Sequence, residues 1–187
     1  PNQGCTPLAW WQPDERSERH ELATGSGATE RFATALHESK LLMAAALVEM
    51  TEAALGLAVE FAKTRETLGV PIGTLQGVAF PLTEVAIAVA GGRNLVRKAA
   101  WTTEYEPGRR PELPLMAFDH AVRTATHGTT TSAHMQGGLG FTVEADASLY
   151  FLRAKGWSAL AGDPAADLTA IGTHLAGAQL AGRPARS

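Results

Sequence analysis

Two segments of this 187-residue chain have residue types and spacing suited to chemistry. The first is Arg65-Glu-Thr-Leu-Gly69, which runs into Pro71 and then Leu75-Gln76; the second, about 70 residues on, is Gln136-Gly-Gly-Leu-Gly140-Phe-Thr142. Arg65 offers a planar, permanently charged donor fork that suits a carboxylate or phosphate. Taken alone it is equally an arginine at a helix C-terminus, held there by the helix dipole. Gly137, Gly138 and Gly140 have no side chains, so the backbone around them can come close to an anion or a planar group. This stretch has neither the Lys-Ser/Thr ending of a phosphate loop nor the preceding strand of a dinucleotide fingerprint, and alone it reads as a helix cap and turn.

The remaining reactive side chains point to less. His127 and His134 are seven apart and share one helix face, but no carboxylate stands near them in sequence, so no metal site is expected. Cys5 is the single cysteine; it has no partner for an internal disulfide and no surrounding pattern of a nucleophile. That fits a reducing compartment, and the cytoplasm is the expected location. A net charge of -3 leaves no basic excess for phosphates, so nucleic acid is not an expected partner. The longest apolar run, Leu41 to Val48, is followed by Glu49 and Glu52 and falls far short of the roughly 20 residues of a spanning helix. No membrane partner is expected.

The elements that must position these segments are helical. Residues 1–30 hold Pro1, Pro7, Pro13 and a charge-dense run from Asp14 to Glu21, an irregular segment or the remnant of a preceding domain, with Trp10 and Trp11 as its anchors. From Phe32, the apolar positions Leu36, Met43, Leu47, Met50, Ala54, Leu57 and Phe61 step at helical spacing to a long helix ending near Arg65. Gly69, Pro71 and Gly73 mark the turn. A second helix is expected over 74–104, bent in its first turns by Pro81 and weakened at Gly91-Gly92. Glu106-Pro-Gly-Arg-Arg-Pro111 is a turn, and Pro114 suits the first turn of a third helix ending near Met135. A fourth spans about 145–160, and Asp163 before Pro164 reads as the N-cap of a short fifth. No strand-like alternation follows residue 30. The expected fold is all-α: an antiparallel four-helix bundle over 31–180 with a short extra C-terminal helix, then a tail over 181–187.

With the two motifs and these helices in place, the chain resembles the C-terminal helical domain of acyl-CoA dehydrogenases. Those proteins carry Arg-x-x-Phe-Gly-x-Pro-Ile followed by Phe-Gln; here Leu68 replaces the first Phe, and Leu75-Gln76 stands for the pair. The Gly-Gly-Leu-Gly-Phe-Thr segment matches the family's Gly-Gly-x-Gly-Tyr/Phe-Thr element, with His134 shortly before it. The resemblance implies FAD as cofactor, contacted by Arg65, Gln76, Gln136, Gly137, Gly138 and Gly140, with the Arg65 guanidinium on a pyrophosphate oxygen. For Arg65 and Gln76 the resemblance implies the FAD of a neighbouring subunit; it also implies an acyl-CoA thioester as substrate and assembly with a second subunit of the same type, as a homo- or heterotetramer.

The family's reaction needs a glutamate to take the proton alpha to the thioester. Its usual place is a Tyr-Glu-Gly-Thr segment after the fourth helix. Counted without gaps, that segment reads Leu160-Ala161-Gly162-Asp163 here, which puts Ala161 at the glutamate position. The family's alternative place, on the first long helix in a Leu-Glu-Arg context, reads Glu38-Ser39-Lys40. Ser39 occupies that position and Glu38 is one residue early, turned by about 100 degrees. The run Leu149-Tyr-Phe-Leu-Arg-Ala-Lys155 resembles the actinobacterial branch acting on steroid side-chain thioesters, in which often only one of two subunits supplies the base. A non-catalytic subunit of a heteromeric enzyme is therefore the leading expectation. The alternatives are an active dehydrogenase with Glu38 as base, an interaction module that has lost its cofactor, and a related flavin oxidase or monooxygenase on the same bundle.

Overall fold

Gly25, at φ 75, is the residue from which α1 starts, and the helix runs Ser26–Thr64. The computed structural model describes residues 4, 6, 8–10, 12–14, 16–18 and 20–181, with side chains to residue 177. Helix α1 begins six residues before Phe32, because its first turns are polar and carry no apolar period. Phe32 itself is exposed. Trp10 is fully exposed and anchors nothing, while Cys5 and Trp11 lie outside the described residues.

After α1, the chain makes a two-residue antiparallel ladder, β1 (Glu66–Thr67) on β2 (Val70–Pro71), with Thr67 opposite Val70. This hairpin departs from the strand-free expectation. Its two-residue turn has Leu68 at φ 53 and Gly69 at φ 79, the positive pair that matches strand twist. The turn is too short to show as alternation in sequence. A short 3-10 turn, Ile72–Thr74, leads into α2 (Gln76–Tyr105), then α3 (Leu113–Met135). A second 3-10 stretch, Gly137–Phe141, precedes α4 (Asp146–Ser158), and a third, Ala159–Ala161, precedes α5 (Pro164–Ala181). As its sequence suggests, Asp163 caps α5: the Ala165 amide donates to its carboxylate at 2.9 Å.

The result is a bundle of α1 to α4 with α5 added at one end. Helices α1 and α3 share the largest interface, α2 lies across both, and α4 closes the side formed by α1 and α3. Small residues let α1 and α3 approach closely: Ala44, Ala54, Ala58, Ala121, Ala125 and Ala133 are all inaccessible, and the Ser132 hydroxyl donates to the Ala54 carbonyl at 2.5 Å. The expected stripe of α1 is met at Leu47, Met50 and Ala54, whereas Leu36 and Leu57 face outward. Gly91-Gly92, expected to weaken α2, has a packing role at its second residue. Gly92 is buried, and a Cβ there would meet Val48 of α1 at 2.9 Å and His120 of α3 at 3.2 Å. The three helices close up because that side chain is missing. By length and hydropathy α1 would pass for a membrane-crossing helix, but 44% of its most apolar window is buried inside the bundle.

Candidate functional site

The hairpin after α1 folds back so that the Ile72 amide donates to the Arg65 carbonyl at 2.8 Å. This fixes Arg65, the residue after α1, at the rim of a groove. The other rim is the 3-10 stretch after α3. Phe61, Arg65, Thr67, Ile72, Met135, Gln136, Gly137, Gly138 and Leu139 line one groove of about 470 Å³. Two segments some 70 residues apart in sequence thus face each other, as their chemistry requires.

Within the groove, Arg65 is exposed and its side chain makes no ion pair with the described residues. Gly137 adopts φ 63, a conformation that favours glycine, and neither Gly137 nor Gly138 would meet any atom within 4 Å if it carried a Cβ. Both leave bare backbone toward open space. Gly140 is different: it is buried, and a Cβ there would collide with the Ala133 carbonyl, so its missing side chain serves the return of the chain under α3. Gln136 turns its amide back to the Ser132 carbonyl at 3.4 Å. Gln76, the first residue of α2, is exposed and lies outside the groove lining. An unpaired guanidinium facing bare, glycine-lined backbone fits a diphosphate: the cation balances charge and the missing side chains allow close approach.

A second cavity is lined by Ser39, one of the two positions at which the sequence lacks a carboxylate; Ala161, the other, does not itself line it. Thr6, Ser39, Leu42, Met43, Ala46, Trp157 and Leu160 line about 360 Å³, with Ala161 next along the chain and partly buried against the core. Its described lining is mainly apolar, with no acid or base among the described residues. Glu38 lines a different cavity, with Thr34, His37, Thr102, Thr103 and Glu106, reached from another face of α1. His127 and His134 are both exposed, and the described residues hold no cluster of three metal-ligating side chains.

Sequence reasoning missed the ion pairs around the bundle end. Lys40, read only as part of the Glu-Ser-Lys context, is buried and donates to both carboxylate oxygens of Asp167 at 2.5 and 2.6 Å. Buried Glu112 accepts from Arg110. Burial alone would raise the Glu112 pKa; the Arg110 hydrogen bond and charge, a backbone hydrogen bond and nearby His174 together hold it below the usual value. His37 is held below its ordinary value of 6.5, first by burial and then by the charge of Lys40. No periodicity in the sequence marks the Lys40–Asp167 pair, whose members are 127 residues apart.

An all-α bundle with a groove between the hairpin after α1 and the turn after α3 defines the fold class and the place of the candidate site. The chain belongs to the acyl-CoA dehydrogenase family: residues 27–176 match the family described as "Acyl-CoA dehydrogenase, C-terminal domain". It is similar to the mitochondrial short-chain specific acyl-CoA dehydrogenase of Sus scrofa, 30% identical over 120 residues, 64% of this chain and 29% of that enzyme. Among solved structures it resembles the ChsE4-ChsE5 complex from Mycobacterium tuberculosis, with TM-score 0.70 and 28% identity over 86% of this chain and 42% of that one. It also resembles the steroid ACAD Tcur3481-Tcur3483, in a variant form, with TM-score 0.72 and 26% identity over 78% of this chain and 40% of that one. The chain therefore spans less than half the length of these relatives.

Proposed function

We propose that this chain is the cofactor-facing helical part of an acyl-CoA dehydrogenase-type oxidoreductase and acts as the non-catalytic subunit of a heteromeric complex. The observation that carries the reading is the shared groove of Arg65 and the Gln136–Leu139 segment. When bound, FAD supplies the hydride acceptor for alpha,beta-dehydrogenation of an acyl-CoA thioester. Arg65 would hold a diphosphate oxygen through charge-assisted hydrogen bonds, and Gly137 and Gly138 would leave the approach clear. Gln76, outside the groove lining, would contribute from the start of α2.

The apolar cavity beside Ser39 and Leu160 would receive an acyl group. It offers no carboxylate for proton removal, which supports assigning the base to a partner subunit of the same family. Glu38 as base is less well supported, because it lines a different cavity. The likeness to ChsE4-ChsE5, a complex of two named subunits, and to a steroid ACAD supports both a heteromer and a steroid-type thioester substrate. The test is the absorbance spectrum of the complex isolated with its partner from the source cell. A flavin spectrum with stoichiometric cofactor is expected; a complex free of flavin would favour the interaction-module reading.

A further inference from the structure

Helix α5 has an unusual attachment. Of its described side chains only Asp167 is buried, at 8% exposure, while Leu168 and Leu175 face outward. Ala170 and Ile171 on the same face are half-buried, so the one fully buried side chain α5 brings to the bundle is a carboxylate, met there by Lys40 of α1, itself 4% exposed. The Lys40 ammonium bonds both carboxylate oxygens and lies 5.8 Å from the centre of the Phe118 ring on α3. A buried ion pair regains little beyond its desolvation cost, so its better-attested use is to fix register between elements.

The neighbours of these two residues say what the register controls. Lys40 adjoins Ser39, and Asp167 lies seven residues after Leu160; Ser39 on α1 and Leu160 just before α5 both line the apolar cavity. Between Leu160 and α5 the chain passes through Gly162 at φ 97, with open space where a Cβ would stand, and through the Asp163 cap. This link is short enough to carry a shift of α5 into the cavity wall. We propose that Lys40 and Asp167 are positioning residues that clamp the two walls of the apolar cavity by setting the register of α5. The clamp rests on the reading of that cavity as the acyl site. An apolar pair of similar size would still cover the contact but would let α5 slide and turn. The cavity would then lose its shape while the bundle stayed folded.

The test uses the full chain labelled with 5-fluorotryptophan, with Trp157, which lines the cavity, assigned by Trp157→Phe. In Lys40→Met/Asp167→Leu, amide exchange within α5 should stay within about threefold of the parent. Exchange over residues 159–163 should rise at least tenfold, and the Trp157 fluorine line should shift or broaden. Lys40→Arg, which keeps the charge, should restore both signals. Asp167→Asn, nearly isosteric, should loosen residues 159–163 in the same sense, giving a second route if the double variant folds poorly. Unchanged exchange at 159–163 and an unchanged Trp157 line in both Lys40→Met/Asp167→Leu and Asp167→Asn would overturn the proposal. Titration with octanoyl-pantetheine judges the cavity separately. It should move the Trp157 line of the parent chain and bind at least fivefold more weakly to the double variant. A parent line that ignores this probe contradicts the acyl-site reading, and with it the purpose assigned to the clamp, while the exchange rates still decide whether the clamp exists.

Discussion

Arg65 brings its positive charge to the groove and makes no ion pair with a described carboxylate, Glu66 next to it in the chain included. Charge-assisted hydrogen bonds are worth about 1.5 to 3 kcal/mol, so Arg65→Ala should weaken flavin binding in the assembled complex by roughly ten- to a hundredfold. Flavin titration by fluorescence measures this; unchanged affinity would reduce Arg65 to a helix-end residue. Lysine should restore only part, because a point charge replaces a planar fork. Much of this groove was legible in sequence: Arg65, Gln136, Gly137 and Gly138 all line it or border it. The separate role of Gly140 was not, because an inward collision with the Ala133 carbonyl leaves no trace in a string of glycines. Phe61, Thr67, Ile72 and Met135 also went unnoticed as groove residues. They are ordinary helix and hairpin side chains until the hairpin folds back.

Among the helices, glycine marks two opposite situations that a sequence alone cannot separate. A Cβ at Gly128 of α3 would overlap Thr51 of α1 and Val85 of α2, whereas one at exposed Gly56 would meet nothing within 4 Å. Gly128→Ala should therefore cost about 1 to 3 kcal/mol through overpacking. Gly56→Ala should add about 0.5 to 1 kcal/mol by reducing the freedom of the unfolded chain. Chemical denaturation of both variants checks the pair, and effects of the same sign would contradict the packing described. The helix order and the cap at Asp163 could be read from period and punctuation. The early start of α1 could not, since polar residues 26–31 carry no stripe.

The bundle end also predicts a pH dependence. Burial, then Lys40, depress the His37 pKa, so below about 6.5 the unfolded chain binds a proton that the folded chain still refuses. Stability should be full above that value and fall as pH drops toward the folded-state pKa. Thermal denaturation at about pH 7.5 and about pH 5.5 should show the decline, and His37→Gln should flatten it. Equal slopes in parent and variant would remove His37 as the cause.

At the scale of the whole molecule, Phe80, Ile87, Trp101 and Tyr105 stand exposed along α2, and Trp101 and Tyr105 pack ring to ring at 5.7 Å between centroids. An apolar face of this kind marks an interaction site, and the chain is expected to self-associate or bind a partner at micromolar concentration. Sedimentation as a stable, soluble monomer would count against it. Under the proposed function the chain would offer a cofactor groove and an acyl cavity, with no base among the described residues lining that cavity. The most direct test of this reading is to assay the purified chain, supplied with FAD and an artificial electron acceptor, against short-chain, fatty and steroid acyl-CoA thioesters, alongside Glu38→Gln. A general base is commonly worth about 10² to 10⁴ in rate, so no turnover above background is expected from either protein, with activity appearing when a base-bearing partner is added. Turnover by the chain alone that disappears in Glu38→Gln would contradict the account and make Glu38 the base.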